Sequence, residues 1–317
     1  TLGVQYRDVG KDGTVYGGPM YYISKGLKDR GFQFFGKIAA VLFAIFCIGG
    51  SFGGGNAAQS NQATIVLKDL MGLESTAAGA IIGCIIAVIV GIIIIGGIKR
   101  IANVTEKVVP FMALMYLLAC LYIILSNFSF IDDAVRLIIS EAFNPTAVGV
   151  GSVIGVLLVG FKRAAFSNEA GAGSASIAHS AVKTKYAASE GLVALLEPFI
   201  DTVVICTMTA LVIIIFNFGG YFEYGGDGGM VYIDGVGYEG AGITSKAFAQ
   251  YIPFSNVFLT IAVVLFAVST MISWSYYGLQ SWKFIFGRGY YARNYNKRCF
   301  IRKSRDNSTE LNGHIVD

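Results

Sequence analysis

Apolar runs with almost no charge alternate along this chain with short segments that hold most of the charged residues. The runs cover residues 38–67, 76–98, 108–131, 142–161 with a continuation to 180, 191–216 and 247–282. A hydrocarbon core is ~30 Å thick and a helix rises ~1.5 Å per residue, so about 20 mostly apolar residues cross it. Six spanning helices are therefore predicted. The runs are continuous rather than alternating, which argues against the strands of a membrane barrel. Several are longer than a span needs and must tilt, break or extend beyond the hydrocarbon.

The basic residues take sides. Segments 1–37, 99–107, 181–190 and the tail from Lys283 carry 19 of the 24 Lys and Arg, whereas 68–75, 132–141 and 217–246 carry three. Lys162 and Arg163 lie within the fourth apolar region. By the positive-inside rule this alternation puts both ends of the chain in the cytoplasm and favours an even number of spans. Segment 217–246, rich in Gly, Tyr and acid, then lies outside, either as an ordered lid over a vestibule or as a plain connector.

Composition supports a lipid-immersed chain. Of 317 residues, 55% are hydrophobic and only 14% charged, with a mean hydropathy of +0.63. Soluble domains average about 25% charged. The five cysteines form no CxxC pair, and four sit singly in apolar runs as small packing residues. Two histidines, His179 and His314, do not make a metal site by themselves.

Three spans hold polar material at membrane depth, where such groups are costly unless partnered or facing a cavity. The first is Ser51-Phe52-Gly53-Gly54-Gly55-Asn56-Ala57-Ala58-Gln59-Ser60-Asn61-Gln62. Asn56 and Gln59, three apart, share a helix face and offer amide donors and acceptors to a zwitterion. Alternatively these small and polar residues pack helices together. Gly49-Gly50-Ser51-Phe52-Gly53 also fits G-x-S-x-G, but the only histidine at membrane depth is His179, on a distant segment. The second stretch runs from Gly160 to Ser174, where Lys162, Arg163, Ser167, Asn168, Glu169 and the pair Gly171 and Gly173 interrupt an apolar segment. Glycine permits unwinding, which frees backbone groups to bind ions and solute. The alternative is an ordinary cytoplasmic loop. The third is Ser269-Thr270-Met271-Ile272-Ser273-Trp274. Its hydroxyls are hard ligands suited to sodium, and Trp274 offers an apolar wall; interhelical hydrogen bonding is the plainer reading. Glu197 and Asp201, four apart around Pro198, are either a coupling site or structural partners of Lys183, Lys185 or backbone groups.

These motifs, with Gly17-Gly18-Pro19-Met20-Tyr21-Tyr22-Ile23, Gly96-Gly97-Ile98-Lys99-Arg100-Ile101 and Leu195-Leu196-Glu197-Pro198-Phe199-Ile200-Asp201-Thr202, resemble the alanine/glycine:cation symporter family over residues 1 to about 288. The resemblance implies an all-α polytopic membrane protein with a leucine-transporter-like fold of two inverted five-helix repeats. This chain would supply spans three to eight, as a transmembrane domain over 1–288 followed by a polar basic tail at 289–317. It implies sodium-coupled symport of alanine or glycine by alternating access at the plasma membrane, with no enzymatic step and no cofactor beyond sodium as coupling ion. Residues 142–180 become the broken sixth helix. Ser167, Asn168, Gly171 and Gly173 lie near the solute, with Gln59 and Asn56 opposite and Thr270 and Trp274 facing it. Ser269 and Thr270 ligate sodium. The expected partners are a small neutral amino acid, sodium and the bilayer, and no nucleic acid.

The chain departs from the family pattern at Gly54, usually aliphatic, at Ala172, usually leucine, and at Ser176, usually proline. On this resemblance the family's first two spans and those after the eighth would lie outside this stretch, which by itself is not expected to transport. An intramembrane hydrolase lacks its base here. A channel would need a continuous polar lining, whereas the polar residues concentrate at one depth.

Overall fold

A computed structural model describes residues 1–11, 13–142, 160, 167–224 and 230–287. Most of the fourth apolar run, Lys162, Arg163 and the tail from residue 288 lie outside the described residues. Among those described, five helical stretches are long and apolar enough to cross a membrane: Gln33–Met71, Thr76–Ile95, Gly97–Ser126, Ala187–Asn217 and Ser255–Phe286. Their outward faces carry Leu, Ile, Val and Phe, as at Ile95, 85% exposed, and Phe52, 73% exposed. Apolar side chains of that size turned outward along every span identify hydrocarbon as the solvent. The chain is a multi-pass, mostly helical membrane protein.

Helix α1 (Leu2–Gln5) leads into a two-residue ladder of β1 (Asp8–Val9) and β2 (Val15–Tyr16). Helix α2 (Pro19–Asp29) starts on a proline at its first position, where no backbone N–H is needed, and buries Met20 and Tyr21. The first span joins α3 (Gln33–Phe52) to α4 (Ala58–Met71) through a π-helical turn, Gly53–Ala57. Helices α5 (Thr76–Ile95) and α6 (Gly97–Ser126) follow, divided only at Gly96, and then α7 (Ile131–Ala142). After the turn at 168–174 come α8 (Ala175–Ser180) and α9 (Ala187–Pro198). A π-helical stretch, Phe199–Cys206, continues α9 into α10 (Thr207–Asn217). A hairpin of β3 (Val231–Ile233) and β4 (Val236–Tyr238) precedes α11 (Ala241–Tyr251) and α12 (Ser255–Phe286).

Two span starts differ from the hydrophobic pattern. Helix α6 begins at Gly97, not at Val108, because its first three turns carry Lys99, Arg100, Glu106 and Lys107 and remain helical. Helix α12 begins at Ser255, not at Ala247, because Pro253 intervenes. Ile252, which precedes that proline, is extended, and Phe254 is left-handed. Residues 247–251 belong instead to α11.

Helix α12 is the central element and packs against α3, α4, α5, α6, α8 and α11. Around its second half lies a cluster containing Met20, Ala40, Ala44, Cys47, Ile86, Met271, Trp274 and Tyr277. Around its first half lies another, with Tyr116, Ile123, Val212, Phe216, Ile233, Phe248 and Leu259. In the second cluster Tyr116 stacks on Phe248 at 5.6 Å. The described part of segment 217–246 is ordered: the hairpin turns on Asp234 and Gly235, both at positive φ, and Val231 and Ile233 are buried beneath it.

Candidate functional site

The site is assembled from irregular backbone around α12. At the π-helical turn, Gly55 is buried against the root of the Trp274 side chain; a Cβ there would fall on Trp274 Cβ and Cγ. The absence of a side chain is what lets the two elements meet. Gly278 gives Ser51 the same access, since a Cβ on it would strike the Ser51 hydroxyl. Asn56 ties the junction together. Its Nδ2 donates to the Ser51 carbonyl at 2.6 Å, and its Oδ1 accepts from Ser275 Oγ at 3.4 Å. Gln59 turns back toward its own helix, with Nε2 3.5 Å from the Gly54 carbonyl. Extra-residue turns of this kind interrupt the regular i→i−4 ladder and recur at functional positions.

Facing this junction is the second irregular stretch. From Ser167 the backbone turns through 168–174 and is helical again from Ala175. Gly173 sits at φ 75° and its N–H donates to the Glu169 carbonyl at 2.7 Å. Glu169 itself is at φ 56°, a left-handed conformation uncommon for a residue with a side chain. Its carboxylate accepts from Ser174 Oγ at 2.9 Å and also faces the hydrogen-bonding groups of Tyr277 and Trp274. Trp274 is 4% exposed and meets Tyr277 edge-on at 5.6 Å. Among the described residues no basic side chain pairs with Glu169. A partly buried carboxylate so placed complements a small cation or an ammonium group.

The first residues of the turn reach another partner. Ser167 Oγ donates to Asp201 Oδ2 at 2.5 Å, and Asn168 Nδ2 donates to Thr202 Oγ1 at 2.9 Å. Both partners lie in the π-helical stretch that begins after Pro198, whose missing N–H breaks the ladder there. On α12, Thr270 Oγ1 donates to the Phe266 carbonyl at 2.9 Å, and the Ser269 carbonyl accepts from Ser273 Oγ at 3.1 Å.

Of the residues singled out in the sequence, Asn56 and Trp274 thus meet through Gly55 and Ser275, and Trp274 reaches the turn through Glu169. Ser167 and Asn168 are held by Asp201 and Thr202. Gly173 packs beside Pro19 and Phe43. Gln59, Ser269 and Thr270 bond within their own helices or neighbouring turn. Glu169 was seen in the sequence only as one of the polar residues interrupting this segment and was given no role, although a carboxylate at membrane depth was signal enough to select it.

A second polar cluster follows the turn. His179 Nδ1 lies 2.6 Å from Glu190 Oε1, and its Nε2 lies 2.9 Å from Glu197 Oε2. Helix α8, which carries His179, is seated on the start of the chain by close contacts of Gly3 with Ser176 and of Gly18 with Ile177. Arg7 donates to the carbonyls of Ser180, Val182 and Thr184, closing the helix end.

Interrupted spanning helices that bring polar groups to the buried face of a long central helix define a membrane transporter. The sequence profile of the sodium:alanine symporter family matches residues 1–302, and the chain belongs to that family. It is 38% identical to the sodium/alanine symporter AgcS of Methanococcus maripaludis over 90% of this chain and 59% of that protein. An uncharacterized transporter of Haemophilus influenzae is 35% identical over 90% of this chain and 59% of its own length. A putative sodium/proton-dependent alanine carrier protein of Bacillus subtilis, YrbD, is 34% identical over 87% of this chain and 54% of that carrier. The chain therefore spans little more than half the length of these relatives. The family is one of symporters, not enzymes, and sodium is its coupling ion.

Proposed function

We propose that the full-length protein is a secondary active symporter in which sodium drives uptake of a small neutral amino acid, alanine or glycine, across the plasma membrane. The observation that carries this is the meeting of two interrupted stretches, Gly53–Ala57 and 168–174, at Trp274 on α12, with the Glu169 carboxylate, which pairs with no basic side chain among the described residues, between them. Trp274 walls the solute side chain; Asn56, Gln59, Ser167, Asn168, Gly171, Gly173 and Thr270 contribute polar and backbone contacts. Ser269 and Thr270 ligate sodium, and Glu169 adds negative charge. The architecture is leucine-transporter-like, the chain holds spans three to eight of it over residues 1–288, and 289–317 is a cytoplasmic tail. Binding at mid-membrane biases the rocking of one helix group against another.

The test is uptake into vesicles by the full-length protein, with sodium and solute titrated separately. Sodium needs several oxygens at once. Thr270→Val or Ser269→Ala is expected to raise the half-saturating sodium concentration about tenfold or more, the equivalent of ~1.5–3 kcal/mol for a lost bond to a charge. Unchanged sodium dependence in both variants at normal expression would return these hydroxyls to helix packing. Orientation is tested independently on a cysteine-free background. Single cysteines at Glu239 and Lys185, both exposed, should label from outside and inside respectively. Labelling of both from one side would overturn the topology.

A further inference from the structure

We propose that His179, Glu190 and Glu197 form a proton-binding site that latches the segment after the turn to the next span, so that proton occupancy acts on the transport cycle. This rests on the symport reading for its consequence, but on proton counting for its existence. A neutral imidazole has one N–H donor and one bare acceptor nitrogen, and an ionised carboxylate can only accept. Here each ring nitrogen lies within hydrogen-bond reach of a carboxylate, at 2.6 Å and 2.9 Å. Neutral histidine with two carboxylates can make one of these bonds but sets a lone pair against an oxygen at the other. Both bonds form only when the cluster carries one more proton, either as imidazolium or as one carboxylic acid. The geometry is therefore that of the proton-bound state.

The neighbourhood keeps that proton local. Glu190 is buried at 6% exposure, whereas Glu197 is exposed. The start of the chain contributes Thr1, whose hydroxyl lies against Gly191, and Arg7, which is engaged with three carbonyls after Ile177. From the turn and α12, Glu169 and Tyr277 act electrostatically on Glu197 or feel it. Lys183 and Lys185 are exposed on the connecting loop, and Asp201 is held by Ser167. No other charged group among the described residues bonds to the imidazole.

The mechanical consequence follows from where the cluster sits. Helix α8 has six residues and begins directly after the turn that carries Glu169. His179 joins it to Glu190 in the first turn of α9 and to Glu197 near the end of α9. When the proton leaves, one bond becomes a repulsion and α8 loses part of its hold on the span. The proton thus favours the latched arrangement at lower pH, and the latch weakens as pH rises.

Glu197→Gln separates the proton from the contact. The amide N–H can donate to the ring nitrogen while neutral His179 donates to Glu190, so both bonds persist with no extra proton. The experiment uses the full-length protein, reading sodium-driven alanine uptake and histidine 15N resonances across about pH 6–8.5. The resonance lost in His179→Gln identifies the site. Expected are two N–H groups or a shared carboxyl proton at the wild-type site at neutral pH, one N–H in Glu197→Gln, and an uptake pH profile that is titrating in wild type and flat in Glu197→Gln. A wild-type pH profile retained by Glu197→Gln, or a wild-type His179 that titrates like a solvated imidazole, would overturn the proposal. Absence of sodium-driven alanine uptake in wild type would sink the symport reading instead, and the resonances would still decide the proton site.

Discussion

Gly55→Ala in the full-length protein is expected to abolish transport and to lower stability by about 1–3 kcal/mol or more. The single added carbon would lie far inside contact distance of Trp274 Cβ and of its Cγ. Cγ can move by side-chain rotation, but Cβ is fixed to the backbone of α12 and cannot, so the helix itself must withdraw from the π-helical turn. Helix α12 is also held by α3, α5 and α6, so its displacement spreads through the central cluster. A shift of about 1 Å at a binding constellation can cost roughly a hundredfold in rate. Gly50→Ala is the internal control. Its Cβ would lie 3.2 Å from Trp274 Cζ3, the far edge of the indole, which can yield by a few tenths of an ångström. It should leave folding intact and reduce uptake only modestly. Thermal unfolding in detergent and vesicle uptake measure both. If Gly55→Ala matched Gly50→Ala in both readouts, close approach at Gly55 would not be what builds the site.

Five of the six predicted spans were legible because hydropathy over 20 residues is a property of the segment alone, and the membrane sets its length. The interruption near Gly171 and Gly173 was legible for a similar reason: polar residues and paired glycines at membrane depth conflict with an unbroken helix. Span starts were less so. At Lys99 to Lys107 the chain leaves the apolar pattern while remaining helical, so polarity ended the predicted span before the helix ended. At Pro253 the reverse happened, since apolar residues continued across a backbone break that proline had announced. The hairpin was not predicted, although Asp234-Gly235 between Val231–Ile233 and Val236–Tyr238 is a local signal for one.

What sequence could not supply was pairing. Ser167 finds Asp201 across 34 positions, Asn56 finds Ser275 across 219, and His179 finds two glutamates. Glu197 and Asp201 read as neighbours on one helix face, but one goes to His179 and the other to Ser167. Composition lists the donors and acceptors, and only the packing of α8, α9 and α12 decides which of them meet.

Glu169 is the sharpest case, and its replacement should be nearly as damaging as that of Gly55. Its carboxylate accepts from Ser174 and faces the polar groups of Tyr277 and Trp274. Glu169→Ala strands these partners. A buried group left without its hydrogen bond costs ~1–3 kcal/mol, so a loss of about 2–4 kcal/mol in unfolding free energy is expected together with loss of uptake. Glu169→Gln is more informative. The amide is nearly isosteric and keeps an acceptor oxygen toward Ser174, so the turn should still close and stability should fall by only about 1 kcal/mol. It removes the charge. A carboxylate that neutralises sodium or the solute ammonium contributes ~1.5–3 kcal/mol through a charge-assisted bond. The half-saturating concentration of one of them should therefore rise about tenfold or more. Titrating sodium at saturating alanine, and alanine at saturating sodium, identifies which cation the carboxylate serves. Glu169→Asp keeps the charge but shortens the reach, and should weaken the contact to Ser174 while sparing part of the affinity. A Glu169→Gln protein with both half-saturation values unchanged would reduce Glu169 to a structural clasp for the turn, holding Ser174 and Tyr277 in place while the cation binds elsewhere.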